Sequence, residues 1–207
     1  MITLYIDTSD QDVSIAIIKD NQILSSIIKT IPNQHSIYTV PFIQDTLTKS
    51  NLEPEDVDNI MVVSGPGSFT GLRIGITVAK VYAYLLKKEL RTLSSLKILA
   101  LSTKGDYILS LIDAKHDNYY LGLYDREYHE VIPEQFANIT TVTTLINKYH
   151  PQVVSNTNLT LDNISIEALK INIPQVVSYY LTTTPRNPHT VVPNYLKLPQ
   201  AMETKHD

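Results

Sequence analysis

The fold is decided by the segment from residue 60 to residue 75, whose sequence is IMVVSGPGSFTGLRIG. Four of the six glycines in the chain fall inside it. Its first four residues form an apolar run rich in β-branched side chains, which predicts a buried strand, and Ile74–Leu86 has the pattern of a helix. The segment is therefore predicted to be a strand–loop–helix junction.

The loop of this junction admits two interpretations. A helix that begins after a glycine-rich turn presents backbone N–H groups and its positive end, so Gly65, Gly67 and Ser68 are candidates for binding the phosphate of a nucleotide. The alternative is a tight Gly-Pro-Gly turn in which Ser68 or Thr70 caps the helix. No Gly-Lys-Ser/Thr follows the loop, which excludes a P-loop of the Walker type. The spacing of the glycines is one residue too long for the dinucleotide-binding fingerprint, which excludes that motif as well.

The composition is that of an ordinary globular protein. The 207 residues include 43% hydrophobic and 18% charged residues, and no apolar run is long enough to span a bilayer. A net charge of −4 argues against binding nucleic acid without a partner. Because cysteine is absent and no signal peptide precedes the first strand, we expect a cytoplasmic protein with no disulfide and no membrane association.

The order of the predicted elements indicates an internal duplication. The predicted strands are Ile2–Asp7, Val13–Ile18, Ile23–Thr30 and Ile60–Ser64, then Tyr107–Ile112, Tyr119–Tyr124, Tyr128–Ile132 and a stretch near Val153; the predicted helices are Ser36–Lys49, Ile74–Leu86, Ser94–Ser102 and Thr141–Tyr149. Two α/β lobes of the βββαβα type, residues 1–104 and 105–207, are therefore expected to face each other across a cleft. The proline-containing tail after Pro174 is expected to be irregular and to wrap over the second lobe.

Each half opens with a strand that runs into an aspartate, Asp7 in the first half and Asp113 in the second. Carboxylates at strand ends that face a cleft are candidate ligands of magnesium-bound water or general bases, and Thr8 extends this candidate site. The alternative is that each aspartate caps the turn that follows it. The six histidines contain no H-x-x-H, H-x-x-x-H or H-E-x-x-H spacing, and no G-x-S-x-G elbow occurs, so neither a local metal site nor a hydrolase nucleophile is supported.

The helix after the junction carries a small residue at every fourth position, namely Gly71, Gly75, Ala79 and Ala83. Such a stripe allows a sheet or another helix to approach closely, and most of the other positions are apolar, so the helix is predicted to be covered on more than one side. The spacing alone fits a fully internal helix and equally fits a helix of which one side meets another protein chain.

The segment GPGSFTGLRIG, residues 65–75, closely resembles the signature of the bacterial TsaB (YeaZ) family, whose members take part in making threonylcarbamoyladenosine in tRNA. Shorter matches run along nearly the whole chain: IDTS at 6–9, SIA at 14–16, HS at 35–36, LSSL at 93–96, IDA at 112–114 and PNYLK at 193–197. The resemblance implies the actin-like, sugar-kinase and Hsp70 (ASKHA) fold with ribonuclease H-like duplicated lobes. Lys197 stands where arginine is usual in the family.

The resemblance also implies a function. Members of the family are similar to a catalytic paralogue, TsaD, which transfers the threonylcarbamoyl group to adenosine 37 of tRNA, and they support it as a non-catalytic subunit without a cofactor of their own. A separate ATPase, TsaE, joins the assembly, tRNA is bound only through the complex, and the subunit alone forms a homodimer. The metal-binding histidines of the paralogue, counted without gaps from the shared Gly-Pro-Gly, fall on Ser95 and Leu99, which cannot replace two imidazoles.

In the family the partner contact lies on the first-lobe helices, which here are Ser36–Lys49 and Thr70–Leu86. The expected contact residues are Ile37, Val40, Ile43, Leu72, Gly75, Ala79, Tyr82 and Ala83. A different class of protein is the alternative: a small kinase or ATPase that uses ATP and magnesium. In that case Asp7 and Asp113 surround the magnesium and the loop from Gly65 to Gly71 lies at the phosphates.

Overall fold

The first half of the chain forms a five-stranded mixed sheet. The computed structural model describes residues 1–161 and 164–197. The strands of this sheet are β1 (Ile2–Asp7), β2 (Asp12–Lys19), β3 (Gln22–Thr30), β4 (Asn59–Gly65) and β5 (Glu89–Ser94), and the helices of this half are α1 (His35–Lys49), α2 (Phe69–Leu85) and α3 (Ser95–Leu101). Across the sheet the strands lie in the order β3-β2-β1-β4-β5.

The second half repeats this arrangement on a smaller scale. Its elements are β6 (Tyr107–Asp113), β7 (Asn118–Asp125), β8 (Glu130–Asn138), α4 (Ile139–Tyr149), β9 (Gln152–Ser155), the hairpin of β10 (Leu159–Leu161) and β11 (Ile164–Ile166), and α5 (Ile173–Leu181). The strand order β8-β7-β6-β9 matches the order β3-β2-β1-β4 of the first sheet. The predicted duplication and the ASKHA fold class are therefore confirmed.

The strand directions bring the candidate site together. β1 is antiparallel to β2 and parallel to β4, with Ile6 opposite Val62, so the carboxyl ends of β1 and β4 lie at the same edge of the first sheet. In the second sheet β6 is parallel to β9, with Leu111 opposite Ser155. Parallel strands present the loops at their carboxyl ends on one side, where ligands of α/β proteins usually bind.

The first sheet is covered on both faces. On one face α1 and α2 pack over β1, β2 and β4, in a core that includes Ile43, Leu47, Ile76 and Ala79. On the other face Ile98 and Leu101 of α3, together with Val176 and Val177 of α5, cover Tyr5, Met61 and Val63. α5 follows the second sheet in the chain but packs on the first sheet. The predicted boundary near residue 104 therefore separates the two sheets, whereas the core on this face includes residues from both sides of the boundary.

β5 was not predicted from the sequence, because its Glu89, Arg91 and Thr92 obscure the apolar pattern. The structure shows why a charged residue is tolerated inside the sheet. The Arg91 guanidinium is buried and donates to Asn59 Oδ1, to Glu89 Oε2 at 2.7 Å and to the carbonyl oxygen of Thr183 at 3.1 Å. A buried charge is stable only when it is paired and hydrogen-bonded in this way.

The strand predicted at Tyr128–Ile132 is shifted in the structure, where β8 runs from Glu130 to Asn138. Pro133 limited the prediction, because proline cannot donate a hydrogen bond within a sheet. β8 is an edge strand with an irregular register opposite Leu121–Leu123, and an edge position tolerates proline.

The tail predicted after Pro174 begins with a helix and returns to the first sheet, so its predicted course over the second lobe is wrong, whereas residues 182–197 are mostly irregular as expected. α5 begins at Ile173, and Pro174 lies in its first turn, where a helix needs no backbone N–H donor. The segment after α5 returns to the first sheet: Arg186 N donates to the carbonyl oxygen of Leu90 at 2.7 Å, and Asn194 N donates to that of Ser64 at 2.7 Å. The remainder of the predicted tail, residues 198–207, lies outside the described residues.

Candidate functional site

A cavity of about 1120 Å³ lies between the two sheets, at the carboxyl ends of β1, β4, β6 and β9. Four of the six cleft residues expected from the sequence line it, namely Asp7, Gly67, Ser68 and Asp113. Thr8 and Gly65 do not. The Thr8 side chain is buried beneath α2, and Gly65 has a positive φ of 122° and packs against the carbonyl oxygen of Asn194.

Asp7 and Asp113 have matching local geometry. Asp7 Oδ1 accepts hydrogen bonds from Ser9 N at 2.9 Å and Ser9 Oγ at 2.7 Å. Asp113 Oδ1 accepts one from Lys115 N at 2.7 Å, and its Oδ2 accepts one from Lys115 Nζ at 2.8 Å. Both carboxylates therefore cap the turn that follows their strand, as the structural alternative predicted, while both also face the cavity.

The surroundings of the two carboxyl groups shift their pKa values in opposite directions. Burial raises the pKa of Asp7, and the hydrogen bonds from Ser9 and Tyr5 only partly offset this effect. Partial burial of Asp113 acts in the same sense, but the hydrogen bonds and positive charge of Lys115 outweigh it and hold the pKa of Asp113 below its usual value. The negative charge of Asp7 is therefore the less well compensated of the two.

The raised pKa of Asp7 predicts a pH-dependent difference between the parent and the Asp7→Asn variant. The contribution of Asp7 to stability is fully present below the pKa of the unfolded chain, about 4, and is lost as the pH rises through the higher folded-state pKa. The free energy of unfolding of the parent, relative to that of Asp7→Asn, is therefore expected to fall as the pH rises from about 4 into the neutral range. Urea denaturation of both proteins across this range measures it, and a difference that stayed constant or grew with pH would contradict the assignment.

The glycine-rich loop packs against its own chain. A Cβ on Gly67 would lie 2.4 Å from the carbonyl oxygen of Ser9, and one on Gly71 would lie 2.0 Å from that of Thr8. Ser68 N donates to the Ser9 carbonyl oxygen at 2.7 Å, and Ser68 Oγ accepts from Gly71 N at 3.2 Å as the cap of α2. These contacts fit the tight-turn and capping interpretation of the junction.

Two further cleft residues, His35 and Asn156, were not found by the sequence reasoning. His35 Nε2 lies 2.8 Å from the carbonyl oxygen of Asp10 and fixes the loop after β1 from the start of α1. Asn156, directly after β9, donates from Nδ2 to Asp10 Oδ2 at 2.8 Å and so connects the two halves across the cleft. β9 is the counterpart of β4 in the second half. A polar residue directly after this strand was the sequence signal that could have identified Asn156.

Ser95 and Leu99 lie one turn apart on α3 and both line the cleft. They occupy the positions that the gapless count assigned to the histidines of the paralogue. A serine and a leucine at these positions cannot supply two imidazole ligands. Within residues 1–161 and 164–197, no group of three or more histidine, aspartate or glutamate side chains is arranged to hold a metal ion.

A second candidate site lies on the outer surface of α1 and α2, which pack against each other on the first sheet. Of the eight residues expected there, Ile37 and Val40 are exposed, with 62% of the Ile37 surface accessible, and Tyr82 is half-buried. The other five are buried within the chain itself: Ile43, Leu72, Gly75, Ala79 and Ala83.

The stripe of small residues on α2 therefore faces inward, which corrects its placement at a partner contact. A Cβ on Gly75 would lie 2.3 Å from Thr8 Oγ1, and Ala79 belongs to the core beneath α2. The two helices also carry exposed large apolar residues besides Phe69, which stacks on Tyr195. They are Ile37, Tyr38 and Val40 on α1, with Val81, Tyr84 and Leu85 on α2, and we call them the outer helix face.

The tail is attached at the start of α2 by an aromatic and cationic cluster. The Phe69 and Tyr195 rings stack with their centroids 4.9 Å apart, and the Arg73 guanidinium lies 3.9 Å from the centre of the Phe69 ring. Arg73 Nε also donates to Tyr195 Oη at 3.0 Å. The FTGLR and PNYLK motifs, far apart in the sequence, thus meet at one place.

Two equivalent sheets that face each other across a cleft, with an aspartate at the end of the first strand of each, define a duplicated α/β protein of the actin-like class. The family model described as "TsaD: tRNA N6-adenosine threonylcarbamoyltransferase" matches residues 22–185. The chain belongs to this family, and within it to the TsaB (YeaZ) proteins.

Individual relatives agree with this assignment. The Bacillus subtilis "tRNA threonylcarbamoyladenosine biosynthesis protein TsaB" is 34% identical over 140 residues, which cover 65% of this chain and 61% of that protein. The Escherichia coli protein of the same name is 30% identical over 128 residues, or 60% of this chain and 55% of the relative. The chain thus spans between 55% and 61% of the length of these curated relatives.

The solved structure of "YeaZ from Pseudomonas aeruginosa" superimposes with a TM-score of 0.78, and the match covers 94% of this chain and 99% of that one. At 22% identity this likeness shows the shared fold. Within the described part of the chain, none of the helices has the length and apolar character needed to cross a bilayer.

Proposed function

We propose that this chain is a non-catalytic subunit of the machinery that forms threonylcarbamoyladenosine in tRNA, and that it binds and supports the threonylcarbamoyltransferase through its outer helix face. The observation that carries the proposal is the exposed apolar side chains on α1 and α2, in a chain whose cleft has Ser95 and Leu99 at the positions counted for the paired histidines of the transferase. The names of the relatives in Bacillus subtilis and Escherichia coli support the pathway.

The outer helix face has the composition of a protein contact. Val81 and Leu85 expose 48% and 68% of their surfaces, and Tyr84 lies beside them on the same helix. Buried aromatic and aliphatic anchors supply most of the binding energy at protein interfaces. Exposed apolar residues that form a continuous patch commonly mark such a contact, whereas single ones do not.

The remaining parts of the proposal follow the family. The subunit contributes no cofactor, a separate ATPase joins the assembly, and tRNA is bound through the complex, since a net charge of −4 gives this chain little attraction for phosphates. In isolation the same outer helix face pairs two copies of the chain, because the apolar surface is then left without its partner.

Substitutions on the outer helix face test the contact. Val81→Arg and Val40→Arg are each expected to weaken the complex with the threonylcarbamoyltransferase of the same organism about thirtyfold or more, the loss typical of an interface anchor. Both side chains are exposed, so the free energy of unfolding is expected to change by less than about 0.5 kcal/mol. Co-purification, gel filtration and threonylcarbamoyladenosine formation by the reconstituted enzymes measure the effect.

The matched control is Val192→Arg, which adds the same charge at an exposed valine outside α1 and α2. It is expected to leave both the complex and the tRNA modification unchanged. Full modification with Val81→Arg and Val40→Arg, or no complex with the parent chain, would exclude the proposal.

The kinase or ATPase alternative remains a separate prediction, without a specific observation in its favour. The glycines of the loop expected to cradle a phosphate approach the chain itself: Gly65 approaches Asn194, Gly67 approaches Ser9 and Gly71 approaches Thr8. Titration of the chain with ATP and magnesium separates the two functions, because micromolar binding with turnover that is lost in Asp7→Asn would favour the enzyme.

A further inference from the structure

Two buried polar atoms at the cleft have no hydrogen-bond partner among the described residues, Ser95 Oγ and Asn156 Oδ1. Both residues line the cavity, Ser95 from the first half and Asn156 from the second. Ser95 is only 4% exposed. A buried polar group left unpaired costs about 1–3 kcal/mol and is rare in native proteins, so each such atom points to a missing partner.

The unpaired Asn156 oxygen needs a partner that donates a hydrogen bond. The Asn156 amide is oriented by its Nδ2 donor, which lies 2.8 Å from the Asp10 carboxylate, an acceptor. Oδ1 can therefore only accept. The Ser95 hydroxyl can accept as well, so one molecule with several N–H donors could satisfy both atoms.

The charge of the cavity wall favours a cation. Among the described residues that line it are four aspartates and two lysines: Asp7, Asp10, Asp12, Asp113, Lys115 and Lys170. Lys115 is already paired with Asp113 at 2.8 Å. Burial disfavours the charged form of Asp7, and a positive ligand group nearby would reverse this effect.

No three carboxylates or histidines in residues 1–161 and 164–197 come together as ligands of a metal ion. The wall also carries apolar side chains, among them Ile98, Leu99, Ile112, Tyr120, Ile171 and Ile173. A wall that carries four carboxylates together with apolar side chains matches a flexible polycation, whose ammonium groups are joined by methylene chains.

We propose that the interlobe cleft binds an aliphatic polyamine of the spermidine type, whose ammonium groups lie at Asp7 and Asp113 and donate to Ser95 Oγ and Asn156 Oδ1. Each ammonium group offers three donors, and its methylene chain covers the apolar wall. The cavity volume of about 1120 Å³ accommodates such a molecule. Because residues of both halves contribute, the ligand connects the two lobes beside the Asp10–Asn156 hydrogen bond. This inference does not depend on the partner subunit.

Calorimetric titration of the full chain with spermidine, at neutral pH and about 0.15 M salt, tests the proposal. One saturable site is expected. Ser95→Ala and Asp7→Asn are each expected to weaken binding about tenfold or more, since each removes a hydrogen bond to a charged group. Ser95→Ala is expected to fold normally because its hydroxyl bonds to none of the described residues.

Asp106→Asn is the control, since it makes the same charge change at an exposed residue that does not line the cavity. Binding to this variant is expected to match binding to the parent. If Asp7→Asn and Asp106→Asn weakened binding equally, spermidine would be held only by non-specific electrostatic attraction to the chain, and the proposal would be overturned. It would also be overturned by the absence of saturable binding, or by a chain that bound ATP with magnesium but not spermidine.

Discussion

Ala79→Arg is expected to leave most of the chain unfolded at room temperature, whereas Val81→Arg, two residues further on, is expected to leave it folded. Ala79 has no exposed surface and lies in the core between α2 and the first sheet. An arginine there would bury an unpaired charge and overfill the core, at a cost comparable to the total stability of about 5–15 kcal/mol of a typical domain. Circular dichroism and urea denaturation of the two variants measure the difference.

This pair of variants has a consequence for the partner contact. If Ala79→Arg or Ala83→Arg abolished the complex, the cause would be loss of the fold, because both alanines lie on the buried side of α2. Loss in Val81→Arg, with the free energy of unfolding unchanged, would report on the outer helix face. A stable, folded Ala79→Arg would show that this side of α2 is not packed as described.

Gly71→Ala and Gly75→Ala are each expected to lower the free energy of unfolding by about 1–3 kcal/mol, the cost of forcing extra volume into a packed site. In a helix interior with free space around the glycine, the same change would raise the free energy of unfolding by about 0.5–1 kcal/mol. The sign of the measured change therefore tells whether the site is packed. The added Cβ would lie 2.0 Å from the Thr8 carbonyl oxygen at residue 71 and 2.3 Å from Thr8 Oγ1 at residue 75.

A double-mutant cycle with Thr8→Ala distinguishes the two glycines. Removing the Thr8 hydroxyl leaves the next obstacle to Gly75→Ala, Thr8 Cβ, at 3.4 Å, so a coupling energy of about 1–3 kcal/mol is expected in that pair. The obstacle to Gly71→Ala is backbone, and no relief is expected. Thr8→Ala alone is expected to be destabilising because its hydroxyl donates to the buried carbonyl oxygen of Gly71 at 2.8 Å. Equal relief in both pairs would contradict the geometry.

The fold was largely predictable because its pattern is local and is repeated. The apolar runs of β1, β4 and β6, each followed by a characteristic turn, indicated the order of elements along both halves of the chain and their repetition. β5 escaped prediction because the reason for its buried Arg91 lies in distant partners, Asn59 and Thr183. Long-range compensation of this kind leaves no trace in residue spacing.

The candidate site was predictable only in part. Asp7 and Asp113 could be placed at the cleft because a strand-end carboxylate is visible in the sequence. The direction of the small-residue stripe on α2 could not be deduced, since spacing every fourth residue defines a helix side without saying what that side meets. Its orientation depends on the close approach of Thr8, which the parallel pairing of β1 and β4 produces.

The return of the chain to its first sheet also constrains synthesis. Tyr5, Met61 and Val63 are made early, but α5, which covers them, ends only at Leu181. Domains usually fold in order as the ribosome releases them. Here the first half leaves the ribosome with this face of its sheet covered by α3 alone, and the rest of the face stays exposed to chaperones or to aggregation until α5 has been made.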